Sequence, residues 1–344
     1  MQARARIEAE IAAAGGWISF ERYMQLALHE PGVGYYASGA RKFGAAGDYV
    51  TAPELGTLFG RTLARELAAF DRILEIGAGT GALADVLAEG REYLILETSA
   101  ELIQRQKEKL GPRVRHIERL PERFRGAVIA NEVADAIPVH MVHWTEGGIM
   151  ERGVGPGLQW ADRPASGELL AAAKELPVQA PYVSEIGLQV RAWMRTVVEA
   201  LDKGAVFVID YGFPRREYYH PQRSTGTLMC HHRHRAHADP FARPGEEDIT
   251  AHVDFTALAE AAHAAGAEIL GYTSQAQFLV NCGITEVLGE ANAENLLHYA
   301  PIAAQAQKLL SPAEMGELFK VLAVGKDLSA PLFGFSRGDR RASL

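Results

Sequence analysis

Residues 72–81 read Arg72-Ile-Leu-Glu-Ile-Gly-Ala-Gly-Thr-Gly81. Ile73 to Ile76 has the length and apolar character of a buried strand, and it runs straight into three glycines spaced two apart. Glycine at such a strand-to-helix turn lets backbone approach a ligand without a Cβ in the way. Working outward, a helix is expected from Ala82 to Ala88, a second strand from Tyr93 to Glu97 and a second helix from Ala100 to Leu110. Val114 to Ile117 reads as a third strand. Ala127 to Ala130 reads as a fourth, ending at Asn131-Glu132, and Gly204 to Asp210 as a fifth. Strands near Glu268–Tyr272 and Phe319–Val324 complete the set. Short apolar strands alternating with helices predict an α/β fold, a doubly wound Rossmann-like sheet covered on both faces.

The rest of the chain interrupts that rhythm. Residues 1–70 read as a helical arm, with helices from Ala3 to Ala14, from Ile18 to Leu28 with Ser19 as N-cap, and from Leu55 to Phe70. The main domain is expected over 71–328, with a β-rich and helical insertion at about 139–200 that ends in a long helix from Glu185 to Leu201. Residues 329–344 read as a poorly ordered tail.

Composition sets bounds on function. Of 344 residues, 35 are Lys or Arg and 43 Asp or Glu, a net charge of −8, which argues against a general nucleic-acid binder. The two cysteines, Cys230 and Cys282, form no Cys-x-x-Cys unit. The run His231-His-Arg-His-Arg-Ala-His237 lacks a clear helix signal and has two arginines that oppose a cation, so it is read as a solvated or substrate-facing loop, with no metal expected. No apolar run approaches the ~20 residues of a membrane span and the N-terminus lacks a signal-peptide core, so the expected compartment is the cytoplasm.

Ligands of doubly wound sheets bind beyond the carboxyl ends of the strands. Glu97 ends the second strand there, where a carboxylate can accept both ribose hydroxyls, so an adenosine-type cofactor is expected. Gly77, Gly79 and Ala82 fit the dinucleotide pattern, with Glu97 as its acidic partner. Gly81 and the acid at Glu75 extend it to Glu-x-Gly-x-Gly-x-Gly, which suits S-adenosylmethionine (SAM). Glu132 and Asp135, three apart, could share one face of a turn and hold a guanidinium, as paired carboxylates can. Spacing alone leaves that reading level with a turn-capping cluster before Pro138. Asp210-Tyr211 places an acid and a phenol at the end of the fifth strand. His252 and Asp254 follow in a segment that also reads as a cap for the next helix, Asp254 more so than His252.

The chain resembles the MidA-like family of class I SAM-dependent methyltransferases over about residues 16–326. The resemblance rests on Gly47-Asp-Tyr-Val-Thr-Ala-Pro-Glu54, Leu74-Glu-Ile-Gly-Ala-Gly-Thr-Gly81, Asn131-Glu132 with Asp135-Ala-Ile-Pro138, Ile209-Asp-Tyr-Gly212, Gly226-Thr-Leu228 and Asp248-Ile-Thr-Ala-His-Val-Asp-Phe255. It implies a class I methyltransferase fold and symmetric ω-N dimethylation of arginine in a protein substrate, linked to respiratory complex assembly. It further implies Glu132, Asp135 and His252 as catalytic residues. Glu75, Gly77, Gly79, Gly81, Glu97, Asn131, Asp48, Thr51 and Pro53 would bind SAM, and Glu54, Asp210, Tyr211 and Asp254 the substrate. A homodimer stays open. Three alternatives remain at this stage: an NAD-dependent oxidoreductase, a small-molecule methyltransferase, and a non-catalytic assembly factor that binds SAM.

Overall fold

The computed structural model describes residues 2–37, 51–292, 294–328 and 331–344. Asp48 lies outside them. The chain divides into two compact units, one of Met1–Tyr49, Asp135–Trp193 and Phe213–Asp254, the other of Val50–Ala134, Met194–Gly212 and Phe255–Leu344.

The second unit holds the expected sheet. Its strands are β1 (Arg72–Ile76), β2 (Glu92–Leu96), β3 (Arg115–Ile117), β4 (Phe124–Asn131), β5 (Leu201–Phe213), β6 (Glu268–Ser274) and β7 (Phe319–Lys326). They run in the order β6-β7-β5-β4-β1-β2-β3. Pairing is parallel from β5 to β3, and β7 is antiparallel to both β5 and β6. Alternate residues on both faces are buried. Ile73, Ile95, Ile129 and Phe207 lie on one face and Leu74, Leu94, Val128 and Val206 on the other, as expected of strands covered by helices. The order of strands reverses at β1, which places a binding crevice outside the carboxyl ends of β1 and β4.

Two expectations are corrected. The tail is packed rather than loose. Phe335 is buried with its ring 5.3 Å from that of Phe278, Asn281 donates to the carbonyls of Gly334 and Arg337, and Thr273 donates to the carbonyl of Gly338. One aromatic anchor and several satisfied carbonyls order a segment whose composition reads as polar. The helix expected from Glu185 begins at Leu188, because Tyr182–Ile186 is recruited as a strand beside His140–Thr145. Pairing that closes over forty residues overrides local propensity.

The first unit is built from helices Gln2–Ala13 and Phe20–His29, a five-stranded sheet and a three-stranded sheet. Ser19 caps the second helix, its hydroxyl accepting from the Arg22 amide. The five-stranded sheet supplies the β-rich insertion, with antiparallel strands His140–Thr145, Gly148–Gly155 and Gln159–Pro164.

Candidate active site

Strand register assembles the ligand edge of the second unit. Ile76 pairs with Leu96 and with Ala130, so the next residues, Gly77, Glu97 and Asn131, stand in one row at the carboxyl ends of β1, β2 and β4. Ile209 pairs with Asn131, which sets Asp210 beside Glu132.

Gly77 has φ +66°, and a Cβ there would come within 2.9 Å of Val133 Cγ2. Its amide donates to the Leu96 carbonyl at 2.9 Å, tying the loop to the end of β2. Gln106 donates to the Gly79 carbonyl at 2.7 Å from the helix Ala100–Leu110. Glu97 accepts from the amides of Thr98 and Ser99 at 2.8 and 3.0 Å and remains half-exposed. Burial raises its pKa above the ordinary carboxylate value. Glu75 is turned inward, its carboxylate receiving the Tyr93 hydroxyl at 2.7 Å. Burial pushes Glu75 up to about 7.

Glu132 follows β4 with φ +54°, a strained conformation for a residue with a Cβ. Its amide donates to the Ile209 carbonyl at 2.9 Å. Its Oε1 accepts from the Ala52 amide at 3.1 Å and the Asn131 side chain at 3.2 Å. Ala52 opens the short helix Ala52–Leu55, which carries Pro53 and Glu54 and follows Thr51. Asp210 is fully buried. Its Oδ2 accepts from the amides of Val133 and Ala134 at 3.2 and 2.9 Å, and its Oδ1 from the Tyr211 amide at 2.9 Å. That carboxylate holds the turn that presents Glu132. The Tyr211 ring meets Phe319 edge-on at 5.4 Å.

The first unit gathers the other expected residues. The Asp135 carbonyl accepts from the Ala251 amide at 3.0 Å, which brings its backbone beside the 248–254 segment. The His252 amide donates to the Thr227 hydroxyl at 3.0 Å, and its ring lies 5.3 Å from Phe213. Arg215 stands 3.7 Å from the Asp254 carboxylate.

A profile described as "Putative S-adenosyl-L-methionine-dependent methyltransferase" matches residues 58–273, more than half of the chain. The chain belongs to that family. The methyltransferase is 49% identical to a COG1565 superfamily member from Burkholderia thailandensis, whose crystal structure is bound to S-adenosyl-homocysteine. That match has a TM-score of 0.96 and covers 100% of this chain and 96% of the other. Among curated proteins, it is 29% identical to the mitochondrial protein arginine methyltransferase NDUFAF7 of Danio rerio, over 90% of this chain and 84% of the relative. The Drosophila melanogaster homolog of that name is 27% identical, over 96% and 88%. The doubly wound sheet expected from the residues, and the class I fold and SAM that the resemblance implies, are borne out.

The row at the sheet edge fits this cofactor. It offers a half-exposed carboxylate at Glu97 and a loop with no Cβ at Gly77, the chemistry that a nucleoside with a cationic tail asks for. Three site-shaping residues carried no readable signal: Tyr93, Gln106 and Glu185. The first two are polar groups of regular elements that meet Glu75 of β1 and the Gly79 carbonyl of the loop only after folding. Glu185 is buried in the first unit and accepts from the amides of Thr227 and Leu228 and the hydroxyls of Thr227, Tyr218 and Ser184.

Proposed function

We propose that this methyltransferase acts on a guanidinium nitrogen of arginine in a protein, by symmetric ω-N dimethylation in the service of respiratory complex assembly. The observation that carries the reading is the fixed Glu132 carboxylate at the end of β4, and the similarity to relatives named as protein arginine methyltransferases supports arginine as the target. SAM, when bound, supplies a methyl group on a cationic sulfur. Arginine hardly deprotonates in water, so its attack needs an acceptor for the departing proton. Glu132 fills that role, orienting the guanidinium and then taking its proton as the new N–C bond forms. Hydrogen bonds from Ala52 and Asn131 keep the carboxylate from swinging away. Fixing the reactants contributes about 7–11 kcal/mol to such a step.

Glu75, Gly77, Gly79, Gly81, Glu97, Asn131, Thr51 and Pro53 are proposed for the cofactor, Glu75 acting through the loop. Glu54 and Tyr211 are proposed for the peptide, with Asp210 holding the turn. Asp135 and His252 are proposed as further catalytic residues, and Asp254 for the substrate. No helix among the described residues is long and apolar enough to cross a membrane.

The test is incubation of the pure protein with methyl-labelled SAM and a cell lysate. Label recovered as symmetric dimethylarginine in a peptide supports the reading. Label recovered only in small solutes, or on another side chain, overturns it.

A further inference from the structure

The histidine run has a use that methyl transfer does not absorb. In the first unit, Met229–His232 pairs antiparallel with Arg235–His237 on one side and with Asp248–Thr250 on the other. Cys230 is the register partner of both His237 and Ile249. Side chains alternate along a strand and register partners share a face. Cys230 and His237 therefore project to the same side, and Glu247, just before the strand Asp248–Thr250, joins them. Their donor atoms all lie within 4.8 Å of one another. His231 pairs with Ala236 and belongs to the opposite face, so the run divides and only one of its histidines joins the cluster.

Cys230 and Glu247 are fully buried, while the His237 side chain is 34% exposed. His237 Nε2 is 3.0 Å from Glu247 Oε2, and Glu247 Oε1 accepts from the Arg243 amide at 3.3 Å.

We propose that Cys230, His237 and Glu247 form a binding site for a divalent transition-metal ion of the zinc type. One sulfur, one imidazole nitrogen and one carboxylate oxygen are a donor set that zinc accepts, at about 2.3, 2.0 and 2.1 Å. Three protein donors leave a fourth tetrahedral position for water on the exposed His237 side. His237 and Glu247, 3.0 Å apart, already stand near the spacing of two zinc ligands, and the Cys230 sulfur, within 4.8 Å of both, closes the remaining distance of up to about an ångström. Loading forms metal–sulfur, metal–nitrogen and metal–oxygen bonds and releases the thiol proton to solvent. The Asp239 amide meets His237 Nδ1 at 3.3 Å, so without metal Nε2 carries the ring proton and donates to Glu247. On loading, that proton moves to Nδ1 and the Asp239 contact opens. The bound ion sets the hairpin against the Glu247 loop and leaves the SAM-binding row untouched.

The test uses the full, untagged chain stripped with chelator and titrated with cobalt(II), which reports its ligands by colour. One equivalent should give the intense visible bands of a tetrahedral ion and a near-ultraviolet thiolate-to-cobalt band. Cys230→Ser should lose the thiolate band, and Cys282→Ser, altering the other buried thiol, should keep it. His237→Gln changes a half-exposed side chain that folding tolerates, and should weaken binding at least about tenfold. Absence of binding at micromolar cobalt, a weakly coloured octahedral spectrum, or unchanged affinity in His237→Gln would each leave an ordinary hydrogen-bonded His–Glu pair and overturn the site. All of these readouts are independent of methylation.

Discussion

At Glu132 the chain accepts a left-handed backbone that costs a residue with a Cβ about 1–2 kcal/mol. The surrounding contacts tolerate that strain because it turns one carboxylate toward Ala52 and Asn131. Glu132→Gln keeps the amide-accepting oxygen, so calorimetry should find S-adenosyl-homocysteine binding unchanged, while methyl transfer falls by about 10²-fold or more. Full activity would remove this residue from the mechanism. Gly77→Ala combines a positive φ with a 2.9 Å approach to Val133. It should lower stability by about 1–3 kcal/mol in denaturant melts and weaken cofactor binding. Glu75 makes a pH prediction. Its pKa is about 7 folded against about 4.5 in the open chain, so the folded state holds the proton more tightly. Its contribution is complete below pH ~4.5 and is lost as pH rises through ~7, a change of at most about 3 kcal/mol. Thermal melts of ligand-free protein should decline across that window, and Glu75→Gln should flatten the decline. Glu66, also raised to about 7 by burial, adds a slope of the same sign that Glu66→Gln should remove.

Among the elements, strands of the sheet were legible because apolar runs of four or five residues between glycine and charged breaks leave few other readings. The helix Ala100–Leu110 has the bounds expected of it, and the structure adds Ser99 as its cap, accepting from the Leu102 amide. The helices Gln275–Asn281, Ile284–Gly289 and Leu296–Leu310 carried weaker signals, the last with Pro301 inside it. They are held by neighbours such as Gln275, which donates to the Leu309 carbonyl. The packed tail belongs to the same lesson. Phe335 lies against Phe278 and over Gly271, where a Cβ would come within 2.1 Å of the Phe335 ring. Phe335→Ala should cost about 3–5 kcal/mol, measured by urea denaturation. A variant as stable as the parent would show that the tail only rests on the surface.

For the molecule as a whole, ligand linkage gives the broadest prediction. S-adenosyl-homocysteine at about a hundredfold excess over its dissociation constant should stabilise the unit that carries the glycine loop by about 2.7 kcal/mol, seen as a raised calorimetric transition. NAD at the same concentration should leave it unmoved; the reverse result would reassign the cofactor. The places of Gly77, Glu97, Asn131 and Glu132 at the sheet edge are legible in residue order, because each sits where an apolar strand ends and a periodic pattern breaks. That much follows from residue order, since strand ends and glycine turns are local properties. Folding settled how the acids divide their work. Asp210 holds three backbone amides, Glu75 turns inward to a tyrosine, and Cys230 meets His237 and Glu247 across a sheet. Those outcomes depend on register between segments distant in the chain, and no local pattern encodes which neighbour a carboxylate will find.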